Sequence, residues 1–318
     1  MTKKTQRLIW ILSALSLLAG LTFLFAFTKG PINFTLDFRL PRLIAFIVVA
    51  ISMSLATVTF QTLTHNNLLT PNIIGIDSIY IMFQILSIFL FSSQSLIQTN
   101  PVLHFSLNTL GVVIFSLVLF NFFFKKFPNN IPLMLLFGLV LGILVNSFNN
   151  FLQVIMNPDE YSAVLSQTLV SFSQVDSRVL TLALLSIIPI AFYLFKNRHE
   201  LDVLSLGNDY AQNLGIAVQK RQLVYFSLVA VLTSIATALV GPVSFLGFLG
   251  ANIAYTILEQ RRHDAVFIVT SLVVFLFITF GQVIVDHLFQ AEVNLGIIIE
   301  FIGGLYYLFI LLKGRSRQ

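Results

Sequence analysis

Long apolar runs recur along the chain, separated by short polar interruptions. The runs are too uniformly apolar to be one face of a soluble helix or a half-buried strand. A bilayer span needs about 20 apolar residues to cross about 30 Å of hydrocarbon. By that measure the pattern predicts ten spans, at about 8–28, 43–63, 73–93, 103–124, 132–155, 178–196, 222–240, 243–258, 265–285 and 295–312. Glycine, proline and polar residues interrupt the third and eighth. A bilayer tolerates such breaks only where the backbone is buried in protein or lines a wet cavity.

Composition agrees with a polytopic, all-α integral membrane protein. Hydrophobic residues make up 57% of 318 and charged residues 10%, with a mean hydropathy of +0.92. With both termini cytoplasmic, the inner side holds Lys3, Lys4, Arg7, Lys125, Lys126, Lys196, Arg198, Lys220, Arg221, Arg261, Arg262, Lys313, Arg315 and Arg317. Those are fourteen of the eighteen Lys and Arg residues, and Lys29, Arg39, Arg42 and Arg178 fall outside, as the positive-inside rule requires for an even number of spans. The net charge of +5 therefore reflects topology and does not point to nucleic acid. The first run is longer than a signal-peptide core and reads as a retained span. With no cysteine, disulfides and thiolate metal sites are excluded.

The two longest interruptions are the 25 residues from Asn197 to Arg221 and the 22 from Met156 to Ser177, too short to fold alone. The chain reads as a single transmembrane domain over residues 1–318. It contains no phosphate-binding loop, H-E-x-x-H, G-x-S-x-G or dinucleotide glycine pattern. Any ATP hydrolysis therefore belongs to another polypeptide. The histidines at 65, 104, 199, 263 and 287 form no metal-ligand spacing, although His287 beside Asp286 could touch a ligand or partner.

The segment from Asn197 to Arg221 is predicted to be cytoplasmic and to touch a soluble partner. At its centre Leu206, Ala211 and Leu214 fall on one face at helical spacing, Asn208, Asp209, Gln212 and Asn213 cover the other, and Gly207 and Gly215 bracket the helix. The second span opens with Arg39-Leu40-Pro41-Arg42. Proline suits a first turn, but the two arginines oppose the helix dipole on the side the positive-inside rule disfavours. Two roles fit that geometry: contacts for carboxylates of an incoming protein or anionic substrate, or snorkelling anchors aided by Asp37. Asn66-Asn67-Leu68-Leu69-Thr70-Pro71, followed by Gly75, breaks the chain at the inner end of span three and reads as a gate or a plain loop. Small residues at Gly138 and Gly142, around Gly241 to Ala251, and at Gly303-Gly304 suit close helix packing. Glu300, inside the last span, lines a pathway or is satisfied by a neighbouring helix.

Together these segments resemble the FecCD family, the permease subunits of ATP-binding-cassette (ABC) importers for ferric siderophores, haem and vitamin B12. The resemblance runs from about residue 36 to 313. The family's R-L-P-R is matched in full by Arg39 to Arg42. Its N-P-L-A-D-P-x-x-L-G is echoed by Asn66 to Gly75, its L-G-x-x-x-A-x-x-L-G by Leu206, Gly207, Ala211, Leu214 and Gly215, and its G-P-I-x-F-x-G by Gly241, Pro242, Val243, Phe245 and Gly247. The chain departs from it at Ala251, Asn252 and Tyr255 within P-H-I-A-R, at Glu292-Val293-Asn294-Leu295-Gly296 in place of E-L-P-x-G, at Glu300 where the family is small and apolar, and at Leu305 in place of a proline.

The resemblance implies a type II ABC importer permease in a bacterial cell membrane. It implies a dimer with a second copy or a homologous permease, cassette ATPase subunits that carry the ATP and Mg, and an extracytoplasmic substrate-binding protein. The permease itself would bind no cofactor. By the same resemblance, Leu206 to Gly215 couples to the ATPase, Arg39 and Arg42 meet the binding protein, and Asn66, Asn67, Leu68 and Pro71 form the inner gate. The expected cargo is an iron complex, with a ferric siderophore preferred over haem or cobalamin. An ion-gradient-driven secondary transporter is the rival from another class. It predicts several intramembrane carboxylates or inverted repeats, whereas Glu300 is the clear deep acid and no repeat is visible.

Overall fold

The computed structural model describes residues 2–25, 32–91, 95, 99–127, 130–172, 175–289 and 294–315. Lys29, Arg317 and the Glu292-Val293 pair lie outside the described residues. In chain order the helices are α1 (Lys3–Phe25), α2 (Ile32–Thr64), a 3-10 turn (Pro71–Ile74), α3 (Ile76–Phe91), α4 (Pro101–Lys126), α5 (Ile131–Ile155), α6 (Pro158–Thr168), α7 (Ser177–Lys196), α8 (Arg198–Leu204), α9 (Asn208–Asn213), α10 (Val218–Val240), α11 (Leu246–Ile257), α12 (His263–His287) and α13 (Leu295–Arg315).

Among the described residues, seven helices (α1, α2, α4, α5, α7, α10 and α12) are long and apolar enough to cross a bilayer. Three shorter apolar helices, Ile76–Phe91, Leu246–Ile257 and Leu295–Ile310, stand where spans three, eight and ten are expected. Helices answer the bilayer's central demand, because each satisfies its own backbone polar groups.

The centre of the bundle is α2, packed against α10, α12, α11 and α7. Aromatic side chains fill the joints: Phe60 meets Phe226 edge to face at 5.9 Å, and Phe46 meets Phe172 at 5.1 Å. Peripheral helices keep apolar side chains outward, such as Trp10 on α1, Val154 on α5 and Phe192 on α7. In a bilayer these meet acyl chains at no desolvation cost.

One boundary differs from the sequence pattern. Pro41 is expected in the first turn of its helix, but α2 starts at Ile32, so the proline lies inside it. The missing N–H leaves the Asp37 carbonyl without its helical partner. Apolar periodicity alone locates the hydrophobic part of a span, not the polar turns that extend it.

The two broken spans meet. Before α3, the 3-10 turn ends at Gly75 in a left-handed conformation, φ 84°. A Cβ on Gly75 would lie 2.7 Å from the Gly142 Cα, and one on Gly138 would lie 3.0 Å from the Ile74 Cα. The G-x-x-x-G pair of α5 therefore seats the break in span three, backbone against backbone. Before α11, the turn at Gly241 to Phe245 places Ser244 so that its hydroxyl donates to Asp77 Oδ2 of α3 at 2.8 Å.

Candidate functional site

The segment between α7 and α10 is held at three points. Glu200 of α8 pairs with Arg221 of α10 at 2.8 Å. Asn208 Oδ1 at the start of α9 accepts from Gln222 Nε2 at 3.0 Å. Asp202 of α8 accepts from both the backbone N–H and the ring Nδ1 of His263, at 2.9 and 2.6 Å.

Between these anchors α9 is a six-residue helix entered through Gly207, φ 116° and ψ 154°. That region of backbone space is essentially closed to residues with a Cβ. Gly215, φ 86°, follows it. The exposed face is not the one that helical spacing predicts. Ala211 is buried, whereas Leu206, Tyr210 and Leu214 are 62%, 67% and 65% exposed. Leu206 precedes the helix and Leu214 ends it, so their spacing along a continuous helix does not apply. The result is a small apolar knob on the polar side of the protein, with Ala211 pointing inward.

Burial works against the Asp202 carboxylate. The hydrogen bonds from the His263 ring and backbone, with the charges of His263 and His199, outweigh it and hold Asp202 below its ordinary range. A folded value below the unfolded one means that the contribution to stability is present above the unfolded value and lost as pH falls through the folded one. Acidification below the ordinary carboxylate range is therefore expected to weaken this link. In pH-dependent unfolding, Asp202→Asn should shallow the acid limb of stability, and an unchanged limb would remove Asp202 from that account.

The predicted gate segment follows α2. His65 adopts a left-handed conformation, φ 49°, that ends the helix. Asn66 Oδ1 accepts from the Leu68 N–H at 2.9 Å, closing a local turn. Gln61 Nε2 donates to the Asn67 and Leu69 carbonyls at 2.8 and 3.1 Å. Asn252 Nδ2 of α11 donates to the same Asn67 carbonyl at 3.2 Å. Asn252, a departure from the family pattern, thus ties α11 to the segment. Leu68 is half-buried and Pro71 buried. A polar cavity of about 260 Å3 opens beside the segment, lined in part by Gln61, His65, Asn67, Ser205 and Arg261.

At the outer end, Arg39 turns toward α1. Its Nη1 donates to the Phe23 carbonyl at 2.6 Å and approaches the Leu24 carbonyl at 3.4 Å, with the guanidinium over the Phe23 ring. Arg39 therefore caps the C-terminal carbonyls of α1, where a cation is favoured. Arg42 stacks on Phe38 at 4.0 Å and lies within electrostatic reach of Asp286. Asp286 accepts from Gln282 at 2.8 Å, and His287 Nδ1 donates to the Val283 carbonyl at 2.9 Å. Arg39→Gln is expected to loosen the last turn of α1 by about 1.5 kcal/mol, the scale of a hydrogen bond to a charged group. Hydrogen exchange at Phe23 to Phe25 reads this directly. Unchanged exchange would mean that Arg39 contributes nothing to the α1 terminus.

Glu300 stands exposed on α13 between exposed Ile297 and Phe301, close enough to Asp77 for the two charges to interact. On α5, Asn146, Ser147 and Asn150 are also exposed. Sequence reading passed over Asp77, Asp202 and Asn146. Asp77 and Asp202 look like residues of a loop edge until the fold brings Ser244 and His263 to them. The one signal available for Asn146 was an amide inside an apolar run. Among the described residues no group of three or more His, Asp and Glu is placed to hold a metal ion.

The sequence profile of the FecCD transport family matches residues 7–313. The chain belongs to that family. This FecCD member is 34% identical to the petrobactin import system permease protein YclO of Bacillus subtilis strain 168, over 98% of each chain. It is 32% identical to the petrobactin import system permease protein FatC of Bacillus anthracis, over 99% of this chain and 92% of that one. Its fold matches, with a TM-score of 0.85 and 20% identity over 97% of this chain and 99% of the other, an inward-facing ABC transporter described as of the metal-chelate type. The FecCD chain is thus a multi-pass membrane permease subunit of an ABC importer. It is not itself an enzyme, and ATP is hydrolysed by partner subunits that serve a permease dimer.

Proposed function

We propose that this permease carries a ferric siderophore inward. An extracytoplasmic binding protein delivers the cargo, and ATP and Mg bind only to the ATPase subunits. The observation that carries the assembly reading is the exposed Leu206–Tyr210–Leu214 knob, shaped by the positive-φ glycines Gly207 and Gly215 in an otherwise polar segment. Apolar side chains left in water on a rigidly anchored element mark a docking surface. Leu206, Gly207, Asn208, Ala211, Leu214 and Gly215 then form the element that receives ATPase movement.

Asn66, Asn67, Leu68 and Pro71 act as the inner gate, pinned through the Asn67 carbonyl to both α2 and α11. Arg42 offers its charge to the binding protein beside Asp286, and Arg39 shares that role with its work as a cap. Glu300 and the α5 amides face the pathway or the second permease chain, because a carboxylate facing hydrocarbon costs about 3 kcal/mol. The siderophore assignment rests on the two relatives named for petrobactin import, which match nearly the whole chain.

The test is uptake into proteoliposomes that contain the permease with its co-purified ATPase and binding protein. ATP-dependent accumulation of iron-loaded petrobactin, outcompeting haem and cobalamin, is the expected result. Accumulation driven by an ion gradient without ATPase would sink the reading.

A further inference from the structure

His263 has a hydrogen-bond partner at each ring nitrogen. Thr62 Oγ1 lies 2.7 Å from His263 Nε2 and 2.8 Å from the Val58 carbonyl. Nδ1 lies 2.6 Å from Asp202 Oδ1, and an ionised carboxylate only accepts, so Nδ1 carries a hydrogen. The residue is 4% exposed, and a polar ring buried to that extent is costly to leave unpaired. Asp202 offsets that cost by accepting from Nδ1 and from the backbone N–H of the same residue. His199 Nδ1 approaches the other carboxylate oxygen, Asp202 Oδ2, at 3.6 Å, while Arg262 pairs with Asp264 at 3.2 Å and Arg261 lies over the Tyr255 ring.

Three elements meet on this one side chain. Asp202 belongs to α8, which leads directly into the apolar knob. His263 starts α12, a span packed on both α1 and α2. Thr62 is in the last turn of α2, immediately before the gate segment, and its neighbour Gln61 holds that segment by two carbonyls.

We propose that Asp202, His263 and Thr62 form a positioning link that carries displacement of the ATPase-docking segment to the inner gate. This rests on reading α9 as the docking element and Asn66 to Pro71 as the gate. A flexible connection would absorb the movement. A buried ring with short, directed hydrogen bonds at both nitrogens transmits it, because stretching either bond leaves a buried polar group unsatisfied.

The test uses the permease co-purified with its ATPase in proteoliposomes, with cargo uptake and ATP hydrolysis both normalised to assembled complex. Asp202→Asn and His263→Gln are each expected to lower cargo moved per ATP about tenfold, while hydrolysis stays within about twofold. The double variant should be no worse than either single one, because all three residues act in one chain. Thr62→Val, which keeps the Asp202–His263 hydrogen bonds and the packing volume, should reproduce the loss and so guards against a mere folding defect. Uptake and hydrolysis falling together, or single effects that add, would overturn the link and leave a structural clamp. Leu206→Asp, run in parallel, keeps the two readings apart. If it remains coupled, the docking reading fails; if it uncouples while Thr62→Val and His263→Gln do not, the link alone fails.

Discussion

Gly142→Leu is expected to abolish uptake and to cost about 3 kcal/mol or more of stability, the upper range for overpacking a tight core. The cause is backbone geometry. A Cβ on Gly142 would stand 3.1 Å from the Gly75 Cα, and Gly75 cannot withdraw. Its left-handed conformation closes the 3-10 turn, its N–H is bonded to the Asn72 carbonyl at 2.8 Å, and Pro71 fixes the start of the turn. A leucine at 142 would push the whole break in span three away from α5, carrying Asp77 off Ser244. Gly304→Ala, where a Cβ meets nothing within 4 Å, supplies the contrast and should leave the protein intact. Yield of monodisperse protein, apparent Tm in detergent and uptake together decide it. Normal uptake by Gly142→Leu would show that α5 and the turn can separate without consequence.

The Leu206→Ala, Leu214→Ala pair is expected to weaken ATPase binding roughly a thousandfold while leaving thermal stability unchanged. Each leucine is about two-thirds exposed in the single chain, so its removal costs the fold little. Burial against a partner contributes about 2 kcal/mol per leucine, and about 4 kcal/mol corresponds to roughly a thousandfold in affinity. Titration of the purified ATPase onto the permease in nanodiscs reads the affinity. Undiminished binding would take the knob out of the interface. Loss of binding with loss of Tm would recast these leucines as parts of the fold.

Much of the architecture is legible in the apolar pattern, because a bilayer makes hydrophobic run length a direct measure of a span. The breaks in spans three and eight are legible for the same reason: Pro71, Gly75, Gly241 and Pro242 have no place in a continuous apolar helix. The Leu206 to Gly215 element is legible as a polar segment bracketed by glycines. Its exposed face is not, since helical spacing assumes one continuous helix, whereas Gly207 and Leu214 bound α9 at six residues. Arg39 shows another limit. Its charge and position read equally well as a docking contact or an anchor, and only the approach of the α1 carbonyls shows what its guanidinium holds.

By itself the sequence determined the membrane setting, the number of apolar segments and the family, because each follows from local composition and spacing. The tertiary structure alone decided which distant residues meet: Gly75 with Gly142, Asp77 with Ser244, and Asp202 with His263 and Thr62. Those pairings join residues 61 to 201 positions apart. They depend on how helices cross and which faces they bury, and no local pattern of apolar and polar residues encodes that.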